Sequence, residues 1–241
     1  MNEKKTAKTL RFAELGSTND YAKSLRTNGE NLFVVATRQT GGRGTKGRSF
    51  SSETGGVYLS LLVHYRDFPA SEAFLVMERA AVAVCKTIES FGLAPKIKWA
   101  NDVFLNGKKI CGILIENTFS GGRISNSVVG VGLNVNNLLP NELSSLATTM
   151  KTELGKETDV LEVEKRLKEN LLLPFAKEEY LARLGFMGEE IFLVSENERV
   201  PATAVSVTDR GELVVEIEGK TRVVSVGEMS IRQASDKKER L

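Results

Sequence analysis

The chain has 241 residues, enough to bury a core and to form one catalytic domain, or one large domain with a small one. Lysine and arginine number 33 against 31 aspartates and glutamates, a formal charge of +2 that excludes a dedicated nucleic-acid-binding surface and leaves any basic cluster to a small anionic ligand. Two cysteines, Cys85 and Cys111, both in apolar surroundings, exclude a disulfide framework, and the charged start without an apolar leader, like the lack of a bilayer-length apolar run, points to a cytoplasmic protein with no membrane role.

In chain order, "TLRFAEL" (9–15) reads as a strand. In "GSTNDYAKSLRTNG", Ser17 followed three residues later by Asp20 resembles a capping box and predicts a helix over about 19–27. "LFVVAT" (32–37) is short and β-branched, a strand that runs into the glycine-rich "QTGGRGTKGRSF" (39–50), and "GVYLSLLVHY" (56–65) is the next strand. Residues 71–92 predict a long helix with Ser71 as N-cap and Gly92 at its end, apolar almost all round and so buried against a sheet. "KIKW" is a short strand. "DVFLNGKKICGILIE" is a hairpin turning at Asn106-Gly107, and Gly121-Gly122 returns the chain as a further strand through "GVGLNVN". Residues 141–184 predict two helices, "NELSSLATTMKTEL" and a second that Pro174 kinks or splits. From "GFMGEE" onward the texture changes to short alternating runs with turn signals, which predicts a small β-barrel, and "ASDKKERL" is a charged tail. The expected class is α+β, a mixed and mainly antiparallel sheet packed with helices, divided as 1–186, 187–235 and a tail 236–241.

Four stretches carry chemistry. The 39–50 loop gathers Gly41, Gly42, Gly44 and Gly47 around Arg43, Lys46 and Arg48 with no acidic residue, which combines close backbone approach with charge-assisted donors for an anion. It has the order of neither a Walker A loop nor a dinucleotide fingerprint. In "KWANDVFLNGKKICGILIE" the tight turn sets Asp102 and Lys109 on adjacent strands, either as a surface ion pair or as an ammonium positioned on a reacting carboxylate or phosphate. The glycines of "GVGLNVNN" (130–137) mark either a bulged strand or close approach of a ligand. "GSTND" either caps a helix or offers Ser17, Thr18 and Asn19 to a polar ligand. His64 is the single histidine, so any Ser-His-Asp or Cys-His mechanism would rest on that one strand residue.

Taken in order, "GSTN", "QTGGRGTKGRSF", "KWANDVFLNGKKICGIL" and "GVGLNVNN" resemble the biotin protein ligases over about residues 10–185, and the terminal barrel is similar to that family's C-terminal domain. The resemblance implies the class II aminoacyl-tRNA-synthetase-like catalytic fold and a two-step reaction. Biotin's carboxylate attacks the α-phosphate of ATP to give biotinyl-AMP and pyrophosphate. A lysine of a biotin carboxyl carrier protein then takes the acyl group. By the same resemblance Ser17, Thr18, Asn19 and Gln39 contact biotin, with Gly42, Arg43, Gly44, Thr45, Gly112 and Leu114 around it. Lys109 meets the reacting carboxyl and α-phosphate oxygens, Arg43 the carboxylate and phosphate, and Asp102 a metal or the incoming lysine, these three forming the catalytic set. Arg48, Phe50, Asn101 and Asn134 lie with the adenylate, Phe50 standing where tryptophan is more usual, and Mg²⁺ is carried mainly by the ATP phosphates rather than by a protein site.

Two departures stand out. Thr45 replaces a common arginine, so Thr45→Arg is expected to slow the leakage of biotinyl-AMP, a result that equal adenylate off-rates in the two proteins would exclude. Ala100 replaces a common proline, with a small backbone effect expected. The pattern begins near residue 10, so the form without an N-terminal DNA-binding domain is expected. Pairing of two subunits at an exposed sheet edge stays open. The rivals are a lipoate or octanoate ligase or transferase of the same fold, with Cys111 as acyl acceptor, and a non-catalytic biotin or nucleotide sensor.

Overall fold

A computed structural model describes residues 7–194, 199–225 and 230–233. Seven strands form the main sheet: β1 (Lys8–Leu15), β2 (Leu32–Gln39), β3 (Val57–His64), β4 (Lys96–Lys98), β5 (Asp102–Leu105), β6 (Lys108–Ser120) and β7 (Arg123–Leu133). Their spatial order is β1-β2-β3-β7-β6-β5-β4. The β1–β2 pair is parallel because helix α1 (Thr18–Ser24) crosses between them, and every other neighbouring pair is antiparallel. Asn106 and Gly107 both take positive φ, +50° and +78°, in the tight turn that the sequence predicted between β5 and β6.

Central strand β3 is buried along both faces, and this divides the molecule. Val57, Leu59, Leu61 and Val63 face a core shared with helix α2 (Phe74–Glu89) and helix α4 (Val160–Leu172), which follows a short helix α3 (Met150–Leu154). Each fully buried Ile or Leu there, such as Ile88 or Leu167, contributes about 1.5–3 kcal/mol of transfer free energy. Leu62 faces the opposite way, into a small cluster with Val34, Val128 and Ala22 of α1. On that second face the sheet beyond the cluster is bare: register sets Ser60 opposite Gly130, Leu114 opposite Gly130, and Gly112 opposite Gly132. A floor of glycines on a face that α1 covers only in part is what makes room for a site.

The structure corrects several expectations. α1 ends at Ser24 rather than near residue 27. Ser17 caps it, accepting from the Asp20 amide, but the Asp20 side chain turns to Arg43 and Lys23 instead of closing a capping box. Ser71 lies in a single 3₁₀ turn, Ala70–Glu72, and does not cap α2. Residues 141–149 are not α-helical. Leu146 O and Thr148 N bond to the backbone of Lys109 at 2.9 Å each, which takes those groups out of any helix, and only Met150–Leu154 coils, capped by Thr149. As expected, the helix before Pro174 stops at Leu172, and α5 (Lys177–Leu181) begins after it.

The C-terminal unit comprises β8 (Glu190–Val194), β9 (Arg199–Val207), β10 (Leu213–Ile217), β11 (Lys220–Val224) and β12 (Ser230–Gln233). It is an antiparallel sheet in the order β11-β10-β9-β8-β12, not the closed barrel expected: among the described residues its two edge strands do not pair. The sheet docks on the main unit where Trp99 Nε1 donates to Gly211 O at 2.8 Å and where Gly211 lies so close to the Phe74 ring that a Cβ would sit 2.1 Å from it. The charged tail 236–241 lies outside the described residues.

Candidate active site

A cavity of about 350 Å³ opens over the glycine floor. Of the residues that the resemblance assigned to the site, all but Gly42 and Asp102 line it: Ser17, Thr18, Asn19, Gln39, Arg43, Gly44, Thr45, Arg48, Phe50, Asn101, Lys109, Gly112, Leu114 and Asn134. Strand β6 runs along the floor, with Lys109 near its start and Gly112 and Leu114 further along.

One end is polar and uncharged. Gln39 Oε1 accepts from Thr18 N at 2.8 Å and from Thr18 Oγ1 at 3.0 Å, and Gln39 Nε2 donates to Ser52 Oγ at 2.9 Å. Asn19 lies against β7, where a Cβ on Gly130 would come within 2.1 Å of its Oδ1, so a side chain at 130 would displace the Asn19 amide. Phe50 lies on the same floor further along, its ring 2.5 Å from where a Gly132 Cβ would stand. Gly42 does not face the cavity. It lets the two arms of the loop meet, with Phe50 N donating to its carbonyl at 2.9 Å and no space for a side chain beside Phe50 O.

Three cations also line the cavity, and each is restrained. Lys109 Nζ stands 2.7 Å from Asp102 Oδ1, an ion pair across the β5–β6 hairpin, and 5.8 Å from the centre of the Phe50 ring. Arg43 reaches Asp20 at 2.6 Å and Glu116 at 3.2 Å. Arg48 folds back on Thr45, donating to its carbonyl at 3.3 Å and its hydroxyl at 3.1 Å. An entering anion therefore exchanges partners with carboxylates already at hand, and these partly exposed pairs cost little to break. Asn101 is fixed by Ile113, bonding its carbonyl through Nδ2 at 3.0 Å, and Asn134 is held between Thr148 O and Asn137. The Trp99–Ala100 peptide bond is cis.

Several cavity residues were missed. Leu139 lines the cavity just before the segment read as helix, and Leu143, Leu146 and Ala147 line it from within that segment. Glu116 was also missed, although it touches Asn19, Lys23 and Arg43. Burial works to raise the Glu116 carboxyl, but hydrogen bonds from Lys23 and Asn19 and the Arg43 charge outweigh that and hold it below the usual carboxylate range. The "GILIE" string placed Glu116 on the same face as Gly112 and Leu114 by strand alternation, which was the available signal. His64 is elsewhere, its Nε2 at 2.6 Å from Thr27 Oγ1. Cys111 is fully buried on the core face, and burial pushes its thiol well up, so it is no nucleophile at neutral pH. Among the described residues no cluster of three His, Cys, Asp or Glu side chains could hold a metal ion, and no helix is long and apolar enough to cross a membrane.

The sequence profile of the biotin/lipoate A/B protein ligase family matches residues 12–134, just over half of the 241-residue chain and the stretch that builds this cavity from Ser17 to Asn134. The chain belongs to that family. Among its relatives is the bifunctional ligase/repressor BirA of Bacillus subtilis, 39% identical over 152 residues, which are 60% of this chain and 46% of that protein. The biotin--[acetyl-CoA-carboxylase] ligase of Mycobacterium tuberculosis is 29% identical over 90% of this chain and 86% of its own length. The chain thus spans about half the length of the first of these curated relatives and most of the second. Among solved structures, a biotin protein ligase from Aquifex aeolicus in complex with biotin and ATP superposes with a TM-score of 0.76 at 28% identity, over 94% of this chain and 99% of that one. The family fold is the one described above: a mixed, mainly antiparallel sheet with helices, followed by a second antiparallel sheet.

Proposed function

We propose that the chain is an ATP-dependent biotin protein ligase, which activates biotin as biotinyl-5'-AMP and transfers it to a lysine of a biotin carboxyl carrier protein in the cytoplasm. The observation that carries this reading is one cavity that joins uncharged hydrogen-bonding groups, Ser17, Thr18, Asn19 and Gln39, to three cations, Arg43, Arg48 and Lys109. The uncharged amides and hydroxyls of Ser17, Thr18, Asn19 and Gln39 match a ring urea, which is polar but carries no charge. Leu114 and Ile113 add apolar surface to the same lining, which suits the valeryl chain.

The chemistry follows from the charges. Two anions, a carboxylate and a triphosphate, have to be brought together, and Arg43, Arg48 and Lys109 offset their repulsion. Lys109 would leave Asp102 for the carboxyl and α-phosphate oxygens, and its ammonium stabilises charge as the phosphoanhydride forms and pyrophosphate leaves. In the second step the carrier's lysine amine attacks the acyl carbon and AMP departs. Asp102, released from Lys109, is placed to accept a proton from that amine. The glycines of the 39–50 loop allow it to fold down over the adenylate and exclude water. Mg²⁺ would arrive on the ATP phosphates and neutralise them further, with Asp102 the carboxylate at that end of the site. In this reading residues 1–186 form the catalytic unit and 187–235 an accessory one.

Pyrophosphate release from Mg·ATP, measured with biotin, lipoate or octanoate and with or without a carrier domain, tests the proposal. Release with biotin alone and a biotinyl adduct on the carrier lysine are expected. Release with lipoate would place the chain with the lipoate enzymes, and tight biotin binding without any release would make it a sensor.

A further inference from the structure

Arg43, a cation that the proposed reaction needs, is engaged by carboxylates in a cluster of four charges. Its Nη2 reaches Asp20 Oδ1 at 2.6 Å and both oxygens of Glu116, Oε1 at 3.3 Å and Oε2 at 3.2 Å. Asp20 stands on α1 and Glu116 on β6, so the loop is tied by this arginine to both. A guanidinium group held there has to let go of carboxylates before it can turn to an anion in the cavity.

Each of the three oxygens already has a second donor. Lys23 Nζ lies 3.3 Å from Asp20 Oδ1 and 2.7 Å from Glu116 Oε1, and Asn19 Nδ2 donates to Glu116 Oε2 at 2.9 Å. Lys23 is three residues beyond Asp20 on α1 and so faces the same way. Its hydrogen bond to Glu116 holds the ammonium above the ordinary lysine range, against burial and the Arg43 charge, so Lys23 is a cation at neutral pH. No oxygen that Arg43 holds is therefore stranded when the arginine leaves. This matters most for Glu116, whose side chain is only one-quarter exposed, whereas Asp20 is half exposed and open to water. The two cations also repel each other across the oxygens they share. With both present the four charges cancel; without Lys23 one negative charge is left over, and Arg43 is the one cation of the cluster that remains to hold it.

We propose that Lys23 is a positioning residue for Arg43: it shares Asp20 and Glu116 with the arginine and keeps them when Arg43 turns to the ligand's anion. This rests on the biotin reading above, in which that anion is biotin's carboxylate and then the phosphate of the adenylate. Lys23 itself does not line the cavity and needs no contact with the ligand.

The test is equilibrium binding of two probes to the wild type, Lys23→Met and Lys23→Arg, and to Arg43→Gln with and without Lys23→Met. One probe is an analogue of biotinyl-AMP in which CH₂ replaces the acyl carbonyl, so that it keeps the phosphate and cannot be attacked. The other is biotin amide, which is uncharged. Lys23→Met is expected to weaken the adenylate analogue about three- to fivefold, the scale of a partly exposed ion-pair network, and Lys23→Arg should restore it. Biotin amide should change less than about twofold, because it offers Arg43 no anion to move to. With glutamine at 43, Lys23→Met should change analogue binding less than about twofold, because the residue it acts through is gone. A loss shared by the analogue and biotin amide would mean that the variant disturbs α1 and with it Thr18 and Asn19. An undiminished loss in the Arg43→Gln background would mean that Lys23 acts on the ligand by its charge alone. Either result overturns the assignment. If the wild type binds neither probe, the biotin reading fails and this assignment goes with it, whereas wild-type binding that Lys23→Met leaves unchanged removes the assignment alone.

Discussion

Replacing Lys109 by alanine is expected to lower the rate of adenylate formation by about 10²–10³-fold while biotin continues to bind, the size of effect seen when one positioned electrostatic donor is lost from a site. Lys109 lines the cavity at the foot of β6, and its position does not depend on its side chain. The backbone is held by Leu146 O and Thr148 N, and the strand by its partner β7. The variant therefore removes an ammonium without moving the floor. Little stability should be lost, since Lys109 and Asp102 are about one-third and one-fifth exposed and such pairs contribute roughly 0–1 kcal/mol. Single-turnover pyrophosphate release beside equilibrium biotin binding separates the two effects. If binding falls with the rate, Lys109 is a ligand contact and the sensor reading gains.

Glu78→Gln is expected to stabilise the protein, and more at pH 8 than at pH 5. Glu78 lies on α2 with no exposed surface, and neither carboxylate oxygen finds a hydrogen-bond partner. Burial pushes its carboxyl up to about 7, with Lys177 of α5 opposing and Asp209 of the β9–β10 turn adding to the rise. The native state thus binds this proton more tightly than the unfolded chain does. The stability tied to it is fully present below the ordinary glutamate range near 4.5 and is lost as pH rises through about 7. Ionising the folded protein above that range costs up to about 3 kcal/mol by the same linkage. Glutamine has the same shape and no charge to bury, so the difference in melting temperature between variant and wild type should widen across the window from pH 5 to 8. A difference that is flat with pH would mean that Glu78 is neutral, or paired, throughout.

The location of Glu78 gives that prediction a structural reading. Phe74, one turn earlier on α2, meets Gly211, and Lys177 pairs with Asp209, so the same corner joins the C-terminal sheet to the main unit. Trp99, which bonds Gly211 O, begins the segment that carries Asn101 and Asp102. This seam is therefore one short stretch of chain away from Lys109 and Asp102 in the cavity region.

Much of the cavity was legible because its requirements are local. Asn106-Gly107 writes a tight turn into two adjacent residues, and the turn brings Asp102 and Lys109 together whatever the rest of the chain does. Gly130 and Gly132 announce close approach because a missing side chain is visible in a string of letters. Ser17 capping α1 is a relation between neighbours. Where such local signals competed with long-range ones, the sequence misled. "NELSSLATTMKTEL" has helical composition, but Lys109, more than thirty residues earlier, takes Leu146 O and Thr148 N for itself, and the segment becomes a wall of the site instead. The C-terminal strands were found, but their number and spacing do not say whether a sheet closes on itself.

The sequence alone determined the strand-rich α+β architecture and the basic glycine loop, because these are encoded in side chains a few positions apart, while the order of four motifs along the chain, through the family they resemble, named fourteen of the residues that line the cavity. Tertiary structure alone decided which groups stand behind them. Ser60 beneath Thr18, Glu116 beside Asn19 and Arg43, and Asp209 near Glu78 are partners separated by 42 to 131 residues, brought together by strand register and sheet docking. Hydrogen-bond direction and burial of charge act over a few ångströms of space, and no pattern of neighbours along the chain specifies which distant groups will share them.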